Sequence, residues 1–400
     1  MTARPMMRKP MLPGNVLLVG VDGGASEVRA HQVVVVEEGP VPELTIGPAT
    51  ASTCYERIAG FEPAPVAQQV SAHELGQVEP TEIEALQGEM WIEAAAGAIL
   101  SVAAQAGARN VLVGMCMPGI KTADRRGVAV LKHGPRMPEF CAQLERELTS
   151  EGLRLLRPVE SLASDGEASA WGEECDAQGL LRGVTNAYYL GGGTGLAEAL
   201  KLGGAILGLD AVGHSIAKAW QLESSSGIGF EELLSMRGIN DRYARRAGVT
   251  TPLSSEDVPE VRALEGDAEA EQVLREAADA LVELCMARIR SLHTGGAAGG
   301  RGRHPKPGTA LGRIVLGQHL GRLFAMEALA PLLRDRVEEG LHRSIEGTGS
   351  LVLCTHYLEG SALRPGLLSA STLRPAPAIG AAALALMSGR TSVTRANLEA

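Results

Sequence analysis

Asn15 to Val21 reads NVLLVGV and is stopped by Asp22, Gly23 and Gly24. A run this apolar, of strand length, predicts a β-strand buried on both faces. Val33 to Val36 repeats the signal after the turn, so the two runs read as a β-hairpin, and Glu43 to Ile46 adds a third strand. Thr81 to Ala106, rich in Ala, Glu and Leu, predicts a long helix ended near Gly107. Val111 to Met117 follows as another buried strand, closed by Pro118 and Gly119. Strand and helix in alternation point to an α/β domain.

A second cycle begins near Asn186, where Ala187 to Leu190 runs into Gly191-Gly192-Gly193-Thr194-Gly195. Helices are predicted over Phe230 to Met236 and Asp267 to Ser291, strands over Arg313 to Leu316 and Ser350 to Cys354, and a closing helix over Ala376 to Met387. The stretch 294–309 (TGGAAGGRGRHPKPGT) cannot bury a core and reads as a mobile loop. Two half-chains on one plan imply a duplicated α/β unit with a cleft between the copies. The first is expected over residues 15–183, completed by a C-terminal helix over 376–390, and the second over 184–375.

Composition narrows the function. The chain has 400 residues, 37 of them basic against 47 acidic, for a net charge of −10. Binding to nucleic acid or an anionic membrane needs clustered positive charge, and aromatic residues for base stacking are scarce at 3%. No apolar run approaches the roughly 20 residues of a membrane span. The basic N-terminus, Met1 to Pro13, lacks the apolar core of a secretion signal. The six cysteines are scattered without metal-finger or redox spacing, as expected of reduced packing thiols in a cytoplasmic protein.

Four places put glycine or polar residues where a buried strand or apolar segment ends. Asp22-Gly23-Gly24-Ala25-Ser26 and Gly191 to Gly195 each follow a strand in their own half. Such turns usually only reverse the chain. As a pair they read as two lips of one phosphate site, since glycine lets backbone N–H groups approach an anion and a hydroxyl adds a donor. Asp22 adds a carboxylate able to hold Mg²⁺ or its water shell. Ser164-Asp165-Gly166-Glu167 opens a helix, so Asp165 is either a plain N-cap or a base that accepts a proton from an attacking hydroxyl. The fourth is Gly213-His214, with Glu231 and Glu232 further on; no second His or Cys stands near enough to complete a zinc site.

Order adds what no single motif carries. VGVDGGASEVRA (19–30), VLVGMCMPGIKTADRRGV (111–128), SDGEASAWGE (164–173), LGGGTGLAEAL (190–200), VGHS (212–215), GFEELLS (229–235), IVLGQHLG (314–321) and PAIGAAALA (377–385) follow one another along almost the whole chain. Together they resemble the repressor/open-reading-frame/kinase (ROK) family of glucokinase-like sugar kinases in the actin-like ATPase superfamily. The N-terminal motif is also similar to that of the benzoyl-CoA-reductase-activator/N-acetylglucosamine-kinase (BadF) group. The resemblance implies two ribonuclease-H-like domains with ATP and substrate in the cleft between them, and ATP-dependent phosphorylation of a hydroxyl on a sugar or sugar-like molecule.

Carried over by resemblance, Asp22, Gly23, Gly24 and Ser26 form the first phosphate loop, with Asp22 positioning Mg²⁺ through water. Gly193, Thr194 and Gly195 form the second loop, Asp165 is the general base, and Gly317 begins the segment near adenosine. Glu173, His214 and Glu231 fall where relatives hydrogen-bond sugar hydroxyls, and Arg136 lies in the replaced sugar loop. Relatives are often dimers, so a homodimer is expected from resemblance alone.

Three departures qualify this. The family's zinc-binding cysteines are missing, since residues 215–230 contain none, so no zinc is expected. The usual Gly-Gly of the adenosine strand is Gly317-Gln318. The Asn-containing sugar loop is replaced by Gly134-Pro135-Arg136-Met137-Pro138, and Ser164 stands where relatives have Asn. The last changes fall on the acceptor side and point away from glucose, toward rings such as cyclitols. Two alternatives are a non-catalytic sugar sensor and a BadF-type ATPase. A repressor needs an N-terminal helix-turn-helix of about 60 residues, but the first strand starts near Asn15. The ATPase needs paired cluster cysteines, for which Cys116 and Cys175 lack the spacing.

Overall fold

The opening apolar run forms strand β1, Leu17–Gly23, of which every residue but Asp22 is buried. The computed structural model describes residues 12–24, 27–212, 216–295 and 307–396, and it divides into two units, 1–177 with 375–400, and 178–374. In the first unit β1 pairs antiparallel with β2 (Glu27–Glu37), which pairs antiparallel with β3 (Glu43–Cys54). Helix α1 (Glu82–Gln105) returns the chain to β4 (Asn110–Cys116), which lies parallel to β1. Helix α2 (Phe140–Ser150) follows, and β5 (Arg154–Leu155) and β6 (Leu162–Ala163) add parallel to β4, giving the order β3-β2-β1-β4-β5 with β6 also on β4.

The second unit repeats that order. β7 (Ala187–Gly192), β8 (Leu196–Leu202) and β9 (Ala205–Gly208) form an antiparallel meander, and β10 (Arg313–Gly317) and β11 (Leu368–Ala370) extend it in parallel as β9-β8-β7-β10-β11. The result is a mixed α/β chain with two multi-stranded sheets.

Local chemistry explains the elements. α1 starts in a reciprocal capping box: Thr81 accepts from the N–H of Glu84, whose carboxylate accepts from the N–H of Thr81. The C-terminal helix, Ala376–Ala396, packs on β1, β4 and helix α3 (Asp165–Cys175) within the first unit. That approach requires glycine. A Cβ on Gly20 would stand 2.1 Å from the carbonyl of Ala378, and one on Gly114 2.0 Å from that of Ala381.

One strand is corrected. Ser350 to Cys354 does not form a strand; Leu351–Tyr357 is a helix whose N-cap, Ser350, accepts from the N–H of Leu353. Only Leu353 and Tyr357 of that helix are buried, the i, i+4 spacing of a helical face. An apolar run of this length does not reveal its period by composition, and the edge strand is Leu368–Ala370 instead. Residues 296–306 of the glycine-rich stretch lie outside the described residues. No described helix is long and apolar enough to cross a membrane.

Candidate functional site

Strand register builds the first half of the site. Asp22, next to last in β1, lies beside Cys116, the last residue of β4; Cys116 lies beside Ala163 at the end of β6. Two residues on, Asp165 opens α3. The carboxyl ends of neighbouring parallel strands are where open α/β sheets bind ligands. Here they bring single ligand atoms of Asp22, Cys116 and Asp165 within 4.8 Å of one another.

The surrounding contacts hold these groups in place. Ser164, not Asp165, caps α3, accepting from the N–H of Glu167 at 3.3 Å. Asp165 is therefore the first helical residue, a position that favours an acid, and the cap alternative passes to its neighbour. Glu167 is tied to Arg125 at 2.8 Å. On the hairpin, the hydroxyl of Tyr55 donates to the carbonyl of Gly24 at 2.8 Å, and its ring stacks on Trp91.

Electrostatics mark the cluster as well. Burial pushes the Asp22 carboxyl above its ordinary value, partly offset by the positive charge of Arg29. Burial, reinforced by the charges of Asp22 and Asp165, pushes the Cys116 thiol well up, so it stays protonated and serves as a weak donor, 3.8 Å from Asp22 Oδ1. Two carboxylates supply the hard oxygen donors that Mg²⁺ and its waters prefer; a protonated thiol does not. Cys116 and Lys121 were missed as site neighbours. Lys121 Nζ donates to the carbonyls of Met117 at 2.7 Å and Gly119 at 2.8 Å, fastening the turn after β4. An isolated lysine in a turn gives no sequence signal for that.

In the second unit, β7 runs through Gly191 and Gly192 into the Gly193-Thr194-Gly195 turn. Glu231, from the short helix Phe230–Leu234, accepts from the N–H of Leu196 at 3.4 Å. A Cβ on Gly195 would lie 2.9 Å from the Glu231 carboxylate, so that glycine admits the acid. Gly317 ends β10 beside Gly191. The structure thus joins Gly193, Gly195, Glu231 and Gly317 within one unit, as it joins Asp22, Gly23, Gly24 and Asp165 within the other.

Other predicted residues fall elsewhere. Arg136 is corrected: its guanidinium makes a two-pronged pair with Glu84, Nε at 2.9 Å and Nη2 at 2.5 Å, both side chains buried. Although burial works against it, that pair holds the Glu84 carboxyl below its ordinary value. Arg136 thus braces the α1 cap rather than facing an acceptor. Glu173 is fully buried in α3. Ser26 and His214 lie outside the described residues.

No family model and no curated protein matches this sequence. Solved structures do match. A ROK hexokinase from Thermus thermophilus superposes at TM-score 0.55 with 19% identity, covering 94% of this chain and 100% of that one. A ROK family glucokinase from Streptomyces griseus, solved with glucose and AMPPNP, gives 0.53 and 19%, over 92% and 98%. A ROK family transcriptional regulator, homolog of the E. coli MLC protein, gives 0.52 and 14%, over 94% and 80%. With the motifs at 19–30, 111–128, 190–200 and 314–321 lying at strand ends of the two sheets, the chain has the fold of the ROK sugar kinases.

Proposed function

We propose that this protein is an ATP-dependent kinase that phosphorylates a hydroxyl of a sugar or cyclitol. The observation that carries this reading is the approach of Asp22 and Asp165 to within 4.8 Å at the strand ends of the first unit. Both units are read as ribonuclease-H-like halves, with the boundaries of the two units as given above.

In-line phosphoryl transfer asks mainly for positioning and charge neutralisation. Asp165 accepts the proton of the acceptor hydroxyl as its oxygen attacks the γ-phosphorus and the bond to the β-phosphate bridging oxygen breaks. Gly23 and Gly24, and Thr194 and Gly195, offer N–H and hydroxyl donors to the phosphates, Gly193 closes that turn by donating its N–H to the carbonyl of Gly195 at 2.9 Å, and Gly317 passes close to the nucleoside. Asp22 orients the water shell of Mg²⁺, whose charge offsets that of the polyphosphate. Glu231 and His214 read acceptor hydroxyls; Glu173, given the same role by resemblance, is fully buried in α3. The departures at 134–138 and Ser164 favour an acceptor other than glucose.

A sensor of the same fold is the second reading, favoured by the structural likeness to a ROK regulator. A sensor binds ligand without turnover and has no use for a base beside a metal-binding carboxylate. ADP release measured over a panel of hexoses, amino sugars and cyclitols separates the two. Turnover on at least one acceptor is expected; tight binding with no ADP release on any of them would establish the sensor.

A further inference from the structure

Gln318 follows the last residue of β10 and is one of two non-glycine residues with positive φ among the described residues, at 55°. An L side chain is disfavoured there, and such strain persists where surrounding structure or function demands it. Its backbone bridges to Gly192, the last residue of β7. Its side chain lies along the glycine hairpin: a Cβ on Gly191 would meet the Gln318 carboxamide carbon at 2.9 Å, and one on Gly193 would meet its oxygen at 2.9 Å. Gly191 and Gly193 therefore leave a trough that this one side chain occupies. Among the described residues the carboxamide makes no hydrogen bond, although the side chain is only partly exposed.

We propose that Gln318 is a phosphate-binding residue: its carboxamide N–H donates to the polyphosphate of the phosphoryl donor seated on the 191–195 hairpin. This rests on the kinase reading and deepens it. The hairpin sequence GGGTG contains no cation, so its donors are backbone N–H groups and the Thr194 hydroxyl. A carboxamide held over the same glycines adds a neutral, directional donor. The strained backbone holds it there; in a relaxed conformation the side chain would leave the trough.

Calorimetry with Mg²⁺·AMPPNP and with Mg²⁺·tripolyphosphate tests this on the full chain. Gln318→Gly relieves the left-handed strain and is expected to melt no lower than wild type, while both probes bind about tenfold more weakly. Gln318→Glu puts a negative charge against the phosphates and is expected to weaken both by more than the glycine variant does. Wild-type binding with unchanged affinity in Gln318→Gly would overturn this proposal and leave the kinase reading standing. Failure of wild type to bind either probe would overturn both.

Discussion

The two sheets have the same strand order, and their registers align them residue by residue. In the first, Asp22 lies beside Cys116; in the second, Gly191 lies beside Gly317. The last hairpin pairs are Gly23 with Val28 and Gly192 with Leu196, so Asp22 and Gly191 are equivalent by both registers. At that shared position one sheet carries a partly buried acid and the other no side chain. Repetition supplies two strand-end sites, and the side chains then divide the chemistry. The first end gathers two carboxylates, which the proposed function assigns to a metal and a proton, and the second gathers glycines and a carboxamide, which it assigns to phosphates.

The largest expected effect bears on the acidic end. Asp165→Asn removes the base and keeps the shape, so turnover should fall by about 10² or more while AMPPNP and acceptor still bind. Ordinary turnover by this variant would leave the first sheet with no more chemistry than the second.

Asp22→Asn makes the acidic end more like the neutral one and should act in two directions. Mg²⁺-dependent ATP affinity is expected to drop by about tenfold or more, for want of a charge to hold the metal waters. Stability should rise. Burial raises the Asp22 pKa above its usual 3.8, so between those values the folded chain binds more protons than the unfolded one. Stability therefore falls as pH rises through that window, and asparagine escapes the loss. The variant should melt higher at pH 7, with the gap closing below pH 3.8; a lower melting point at neutral pH would contradict the burial argument.

The smallest effect separates scaffold from site. Arg136→Lys keeps the charge but loses the two-pronged grip on Glu84, which should cost about 1–2 kcal/mol of stability. The acceptor KM should not change. Unaltered melting with a raised KM would return Arg136 to the acceptor.

Much of the fold was legible because buried parallel strands announce themselves as short apolar runs. β1, β4, β7 and β10 were all expected within two residues of their observed ends. The run at 351–354 misled because four residues do not distinguish period 2 from period 3.6. Arg136 was placed at the acceptor because 134–138 replaces the family's sugar loop, whereas its partner, Glu84, is 52 residues away in sequence.

Motif order alone determined which residues to watch at the strand ends, since glycine and acid after an apolar run are chemistry written in local sequence. Only the tertiary structure decided which of them meet. Parallel register joins Asp22 to Cys116 across 94 residues, and β6 then delivers Asp165. It also decided that Gln318, which the sequence marks only as a replaced glycine, lies in the glycine trough. Both depend on hydrogen-bond pairing between distant strands, which is a property of the sheet and not of any segment within it.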